Sequence, residues 1–99
     1  MKTIAIDRYI LESLMVDLVG HDRRPAAFLL YLALTRLVGS KPSAALSLRD
    51  LTSATGLSRT AVQRSLIHLK RRGLINTRAA GPTAVPRYAV HRPWIRARG

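Results

Sequence analysis

The chain has 99 residues, of which 47% are hydrophobic, and this suits one small domain with a single core. It has no cysteine, which excludes a disulfide framework and a cysteine-based zinc site. Seventeen basic and five acidic residues give a formal net charge of +12, and this charge is too patterned for a disordered basic tail.

The N-terminal segment has no secretory signal pattern, because Asp7 and Arg8 come before any apolar run. The longest apolar stretch covers residues 26–34 and falls far short of the ~20 residues that span a bilayer. We therefore expect no membrane association and a cytoplasmic location.

The first predicted helix begins at Asp7, which can cap it, and runs to about Val19. Apolar residues recur along one side of this helix with helical spacing: Ile10, Leu11, Leu14, Met15 and Leu18. Gly20 and the charged run HDRR (residues 21–24) end it.

A second helix is predicted to start either at Asp22 or in the turn at residues 23–25, because a proline is tolerated in a first helical turn. As far as Val38 it is apolar on nearly all sides, which is typical of a central core element. The sequence GSKPS at residues 39–43 then predicts a loop.

A short third helix follows this loop. Ser47 with Asp50 three residues later predicts a capping box at its start, although the motif prefers Glu or Gln at the second position. Leu48 and Leu51 are expected to point inward. The helix ends at Gly56, where a tight turn needs a positive φ.

The fourth helix is capped by Ser58, runs to about Arg72 and ends at Gly73, where a left-handed residue is wanted. By the 100° rule, one face carries the side chains expected to pack inward: Val62, Ser65, Leu66 and Leu69. The remaining surface carries mostly polar and cationic side chains: Arg59, Thr60, Gln63, Arg64, Ile67, His68 and Arg71.

Two short alternating segments, residues 74–78 and 87–91, predict a β-hairpin around a flexible tip at residues 79–86. Arg78 and Arg87 flank this tip and give it the charge to meet a nucleic-acid backbone or minor groove.

The basic residues are distributed very unevenly. Residues 1–50 have seven basic and all five acidic residues, a net charge of +2, whereas residues 51–99 have ten basic residues and no acid. A solvated surface normally mixes both signs, and unbalanced cations repel one another unless a polyanion is nearby. Nucleic acid is the commonest such partner, and a ribosomal or membrane surface is the alternative.

The composition of the fourth helix suits a DNA major groove. Arginine can bond two acceptors on guanine, glutamine can pair with adenine, and Ile67 could touch a thymine methyl group or instead pack on the N-terminal helix or a partner subunit. His68 alone is no metal site and is expected at the polar surface. The candidate DNA-binding residues are Ser58, Arg59, Thr60, Gln63, Arg64, Ile67, His68, Arg71, Arg78 and Arg87.

Residues 24–91 resemble a winged helix-turn-helix DNA-binding domain of the bacterial and phage type. The resemblance rests on LRDLTSATGLSRTAVQRSLIHLKRRGLI, a leucine-led helix, a Gly-Leu-Ser turn, a second helix and Gly-Leu-Ile in order. It implies a mainly α fold with a small β-hairpin wing. Outside the resembling residues, the chain adds an N-terminal helix (residues 1–20) and a basic tail (residues 92–99). The resemblance also implies recognition contacts from Arg59, Thr60, Gln63 and Arg64.

The resemblance implies sequence-specific binding of double-stranded DNA, by a transcriptional regulator that acts through operator occupancy and is associated with the nucleoid. The alternatives are a plasmid or phage replication or partition factor, and a protein-interaction winged module. An enzyme is not expected, because all carboxylates precede Thr52 and no Gly-rich phosphate loop or triad spacing occurs. No cofactor or metal is implied. Because operator reading commonly uses a two-fold dimer, a homodimer interface is predicted at Ile10, Leu14 and Leu18.

Overall fold

The computed structural model describes residues 1–95, in which helices surround a small antiparallel sheet. The elements in chain order are an N-terminal helix (Ile10–Leu14 and Val16–His21), α1 (Pro25–Val38), β1 (Ala44–Ala45), α2 (Leu48–Thr55), α3 (Arg59–Arg71), β2 (Ile75–Arg78) and β3 (Arg87–Val90). The predicted basic tail reaches residue 99, so its last four positions lie outside the described residues. Residues 1–95 form a mixed α/β domain of four helices and three strands.

The N-terminal helix is wound with i→i+5 hydrogen bonds, a rare geometry for so long a stretch, rather than as the α-helix its periodicity predicts. Asp7 does not cap it. The Asp7 carboxylate instead accepts hydrogen bonds from the Trp94 indole at 3.3 Å and from Arg92 at 3.5 Å. The Trp94 ring also stacks on Tyr9 with centroids 4.7 Å apart. The start of this helix is therefore held by the end of the described chain.

The inner side of the N-terminal helix belongs to the main hydrophobic core. Ile10, Leu14 and Leu18 are 1%, 3% and 0% exposed and pack with the side chains of α1. The prediction that these three form a homodimer interface is therefore wrong, because their surface is already covered within one chain. The apolar side chains that the helix leaves exposed are Leu11, Val16 and Val19.

The central helix α1 begins at Pro25, in the turn at residues 23–25 and not at Asp22, the other predicted start, and most of its apolar side chains are buried. Tyr31 lies at its centre with no exposed surface, and its hydroxyl donates a hydrogen bond of 2.8 Å to the backbone carbonyl of His91. Burial raises the pKa of Tyr31 to about 12. This side chain ties the core to the chain just beyond β3.

The two helices α2 and α3 begin where the sequence predicts. Ser47 and Asp50 form the capping box, with bonds of 3.0 Å to the Ser47 hydroxyl and 2.8 Å to the Asp50 carboxylate. Hydrogen bonding to the Asp50 carboxylate, first from the Ser47 backbone amide and then from the Ser47 side chain, holds the pKa of Asp50 below its ordinary value. Gly56 has φ 76° and ends α2, and the Ser58 hydroxyl accepts the Ala61 amide at 3.1 Å.

The predicted hairpin is confirmed as β2 and β3, but the sheet has a third strand that the sequence analysis did not predict. Its order is β1-β3-β2, with all neighbours antiparallel, and β1 contributes only two residues. Next to β1, the Leu46 amide donates to the Pro86 carbonyl at 3.0 Å. The chain entering α2 is therefore hydrogen-bonded to the start of β3, beside the hairpin tip.

Candidate nucleic-acid interface

Packing fixes which side of α3 meets solvent. Val62 and Leu69 are fully buried, Ser65 is nearly so, and Leu66 is partly buried against the same core. The inward face predicted from helical spacing is confirmed. The opposite side of α3 therefore points away from the domain.

The exposed side of α3 carries five of the predicted contact residues: Arg59, Thr60, Gln63, Arg64 and Arg71. The Ser58 hydroxyl lies at the start of this row and is exposed, but its oxygen already accepts the Ala61 amide in the helix cap. Ile67 is also 56% exposed, so it does not pack on the N-terminal helix. An apolar side chain thus lies among cationic ones.

His68 is placed differently from the prediction that it lies at the polar surface. Its side chain is only 14% exposed, and its Nε2 lies 2.8 Å from an oxygen of Asp22, which is itself 9% exposed. Arg72 Nε is 3.2 Å from the same oxygen, and His21 Nδ1 is 3.1 Å from the other. We call His21, Asp22, His68 and Arg72 the Asp22 cluster.

The Asp22 cluster joins the turn before α1 to the C-terminal half of α3. The hydrogen bonds of the Asp22 carboxylate with His21 and His68, together with the nearby charge of Arg72, lower the pKa of this carboxyl, although its partial burial raises that pKa. An ionised carboxylate so little exposed is tolerated because cationic and hydrogen-bonding partners surround it. The His68 side chain, which the sequence analysis assigns to DNA binding, is therefore engaged in contacts within the domain.

A depression of about 300 Å³ lies beside the exposed face of α3. It is lined by Arg24, Arg64, Ile67, His68 and Arg71. Arg24 was not among the predicted site residues, because the run HDRR shows in the sequence only that a helix ends there. What brings Arg24 to α3 is the pairing of Asp22 with His68, across 46 residues of chain.

The end of the hairpin next to its tip carries two further predicted contact residues. Arg78 and Arg87 are exposed and directly opposite each other in the β2–β3 register. Like charges in such a cross-strand pair are destabilising. Arg87 also donates to the Ser43 hydroxyl at 3.0 Å, which orients its guanidinium.

Few carboxylates reach these cations. Within residues 1–95, ion pairs of arginine involve Arg8, Arg72 and Arg92. The described chain gives no ion-pair partner to the arginines of α3's exposed face or of the strand pair next to the hairpin tip: Arg59, Arg64, Arg71, Arg78 and Arg87. The cationic surface is therefore electrostatically unsatisfied within the described domain.

The part of the chain that the structure describes has no cluster of three or more histidine or acidic residues suited to hold a metal ion. Across those same 95 residues, no helix combines the length and apolar character that crossing a membrane requires. Comparisons with protein-family models, with curated proteins and with solved structures find no match to this chain.

Proposed function

We propose that the protein is a winged helix-turn-helix protein that binds double-stranded DNA in a sequence-specific manner. The observation that carries this proposal is the exposed face of α3, where cationic and amide side chains follow one another without an ion-pair partner in the described domain. A helix fits the width of a major groove, whose base edges present distinct donor and acceptor patterns.

The individual side chains suggest a division of labour. Arg59 and Gln63 suit direct contacts with guanine and adenine, and Thr60 suits either a base or a phosphate. Ile67, exposed among arginines, suits the methyl group of thymine. Ser58 adds a phosphate contact only if its hydroxyl hydrogen is donated while its oxygen keeps the cap.

The hairpin is the proposed wing. Arg78 and Arg87 repel each other across the strand pair, and a DNA phosphate near both would relieve that repulsion. Together, α3 and the wing form a cationic surface that draws DNA in by releasing counterions.

In the cell we propose that the protein occupies an operator and blocks its use, as a transcriptional regulator in the nucleoid. Two-fold operators call for a dimer, and the exposed side chains Leu11, Val16 and Val19 suit a second copy better than the buried ones predicted first.

The decisive experiment is a selection of binding sites from random duplexes at about 50 mM and about 200 mM salt. The expected result is one enriched motif, with log K falling against log[salt] at a slope of about −0.9 per neutralised phosphate. A promoter motif supports a regulator, and an iterated origin array supports a replication or partition factor. A protein without salt-sensitive DNA affinity would refute the proposal and favour a protein-interaction module.

The base-reading role of Gln63 has its own test. Gln63→Ala should cost about 1–3 kcal/mol on the selected site and relax the preference at a single base pair. Its affinity for an unrelated duplex is the internal control and should stay unchanged, because no charge is removed. Equal losses on both duplexes would take Gln63 out of the reading surface.

A further inference from the structure

We propose that Arg24, from the turn before α1, binds a DNA backbone phosphate together with Arg64 and Arg71 of α3. We call these three residues the arginine cradle. The inference rests on the proposed function and adds to it a contact outside the helix-turn-helix and the wing.

The first step is that the turn at residues 21–24 is fixed on α3. The Asp22 carboxylate bonds His68 at 2.8 Å and Arg72 at 3.2 Å, and both partners belong to the end of α3. On the other side, the Arg24 amide donates to the Leu18 carbonyl at 2.7 Å. The turn is thus bound both to α3 and to the N-terminal helix.

The second step concerns the backbone of the turn. Arg23 has φ 55°, and it is the one residue other than glycine with a positive φ in the described chain. This left-handed conformation is strained for an L-residue and persists only where the surroundings impose it. Here the Asp22 cluster lies immediately before it, and Pro25 starts α1 two residues later.

The third step is the result of this geometry. Arg24, Arg64 and Arg71 line one depression of about 300 Å³, and none of its five lining residues is acidic. The carboxylate of Asp22, two residues before Arg24, already has both oxygens engaged by the Asp22 cluster. Three guanidinium groups beside one depression repel one another unless an anion lies among them, and the arginine fork matches phosphate oxygens.

The position of the cradle indicates which phosphate it takes. Arg64 follows Gln63 directly on the exposed face of α3, so a group in the cradle lies beside any duplex seated on that face. The depression is open and shallow rather than an enclosed pocket for a small molecule. We therefore assign it to a backbone phosphodiester rather than to free phosphate.

Asp22 is a positioning residue in this scheme, and replacing it should change DNA affinity in the direction opposite to that expected from its charge. Asp22→Asn removes a negative charge close to the proposed DNA surface, so electrostatics alone predicts tighter binding. If the Asp22 cluster positions the cradle, the same substitution should weaken binding, because the turn that carries Arg24 loses its ionic hold on α3.

The experiment compares the full-length protein with Arg24→Ala, Arg36→Ala and Asp22→Asn on one duplex over a range of salt concentrations. Arg36 is the matched control, since it is an exposed arginine of α1 outside the cradle, without an ion pair in residues 1–95. We expect Arg24→Ala to lower affinity roughly tenfold and to reduce the salt slope by about 1. Arg36→Ala should change neither by a comparable amount.

Titration of inorganic phosphate, followed by the amide signals of residues 21–24 and 64–71, completes the test. Arg24→Ala indistinguishable from Arg36→Ala on DNA would overturn the cradle while leaving the proposed function intact. Phosphate binding that is lost in Arg24→Ala without any loss of DNA affinity would also overturn it, in favour of a free-anion site. Wild-type protein that binds no duplex would refute the proposed function itself.

Discussion

Gly56 connects α2 to α3, and its conformation allows a stability prediction with a definite sign. It has φ 76° and ψ 4°, and a Cβ built there meets no other atom within 4 Å. Gly56→Ala therefore adds backbone strain of about 1–2 kcal/mol without a clash. The smaller entropy of the unfolded alanine chain offsets about 0.4–1 kcal/mol, which leaves a net loss on the order of 1 kcal/mol.

Gly20 provides a matched control of opposite sign. It lies within the helical segment Val16–His21, does not have a positive φ, and likewise has open space where a Cβ would be. Gly20→Ala should stabilise the protein by about 0.5–1 kcal/mol, because glycine weakens a helix interior.

Both variants are compared with the wild type by urea and thermal unfolding at pH 7. A change of 1 kcal/mol shifts the midpoint temperature by about 4–8 °C for a domain of this size. The two substitutions should therefore move it in opposite directions, with Gly56→Asn between wild type and Gly56→Ala because asparagine tolerates this conformation. A Gly56→Ala protein with an unchanged or higher midpoint temperature than wild type, measured beside a stabilised Gly20→Ala protein, would refute the left-handed turn at residue 56.

Two further predictions concern pH. Because the folded pKa of Asp22 is lowered from 3.8, its stabilising contribution is complete above that pH and is lost as the pH falls through the folded pKa. Asp22→Asn should therefore lose less stability than wild type when urea midpoints are compared between pH 5 and pH 2, and parallel losses would contradict this. Because the pKa of Tyr31 rises from 10.0 to about 12 on folding, stability should fall as pH rises from 10 to 12. Tyr31→Phe should flatten this fall, and an identical alkaline slope in both proteins would count against it.

The features that the sequence predicted well are encoded within a few neighbouring residues. Ser47 and Asp50 satisfy each other's backbone amides across one turn, and the Ser58 hydroxyl accepts the Ala61 amide at the start of the next helix. The exposed row on α3 follows from 3.6-residue periodicity once Val62 and Leu69 are recognised as core. These signals need no knowledge of the rest of the chain.

The features that were missed depend on contacts between distant residues. The pairing of Asp22 with His68 spans 46 positions, and no local pattern distinguishes it from a pair of exposed polar residues. Strand β1 is two alanines long, too short for an alternating pattern, and exists because β3 has a free edge. The N-terminal helix showed an apolar side, but only the packed structure shows that α1 covers it.

The central position of β3 has a mechanical consequence. Both edges of this strand are hydrogen-bonded, one to β2 and one to β1, and β1 leads directly into α2. A force applied to the hairpin is therefore transmitted through β1 to the first turn of α2. Only residues 79–85 lie beyond both the paired strands and the hydrogen bond of Leu46 to Pro86, so a ligand that engages the tip has to order one short loop on strands that are already fixed.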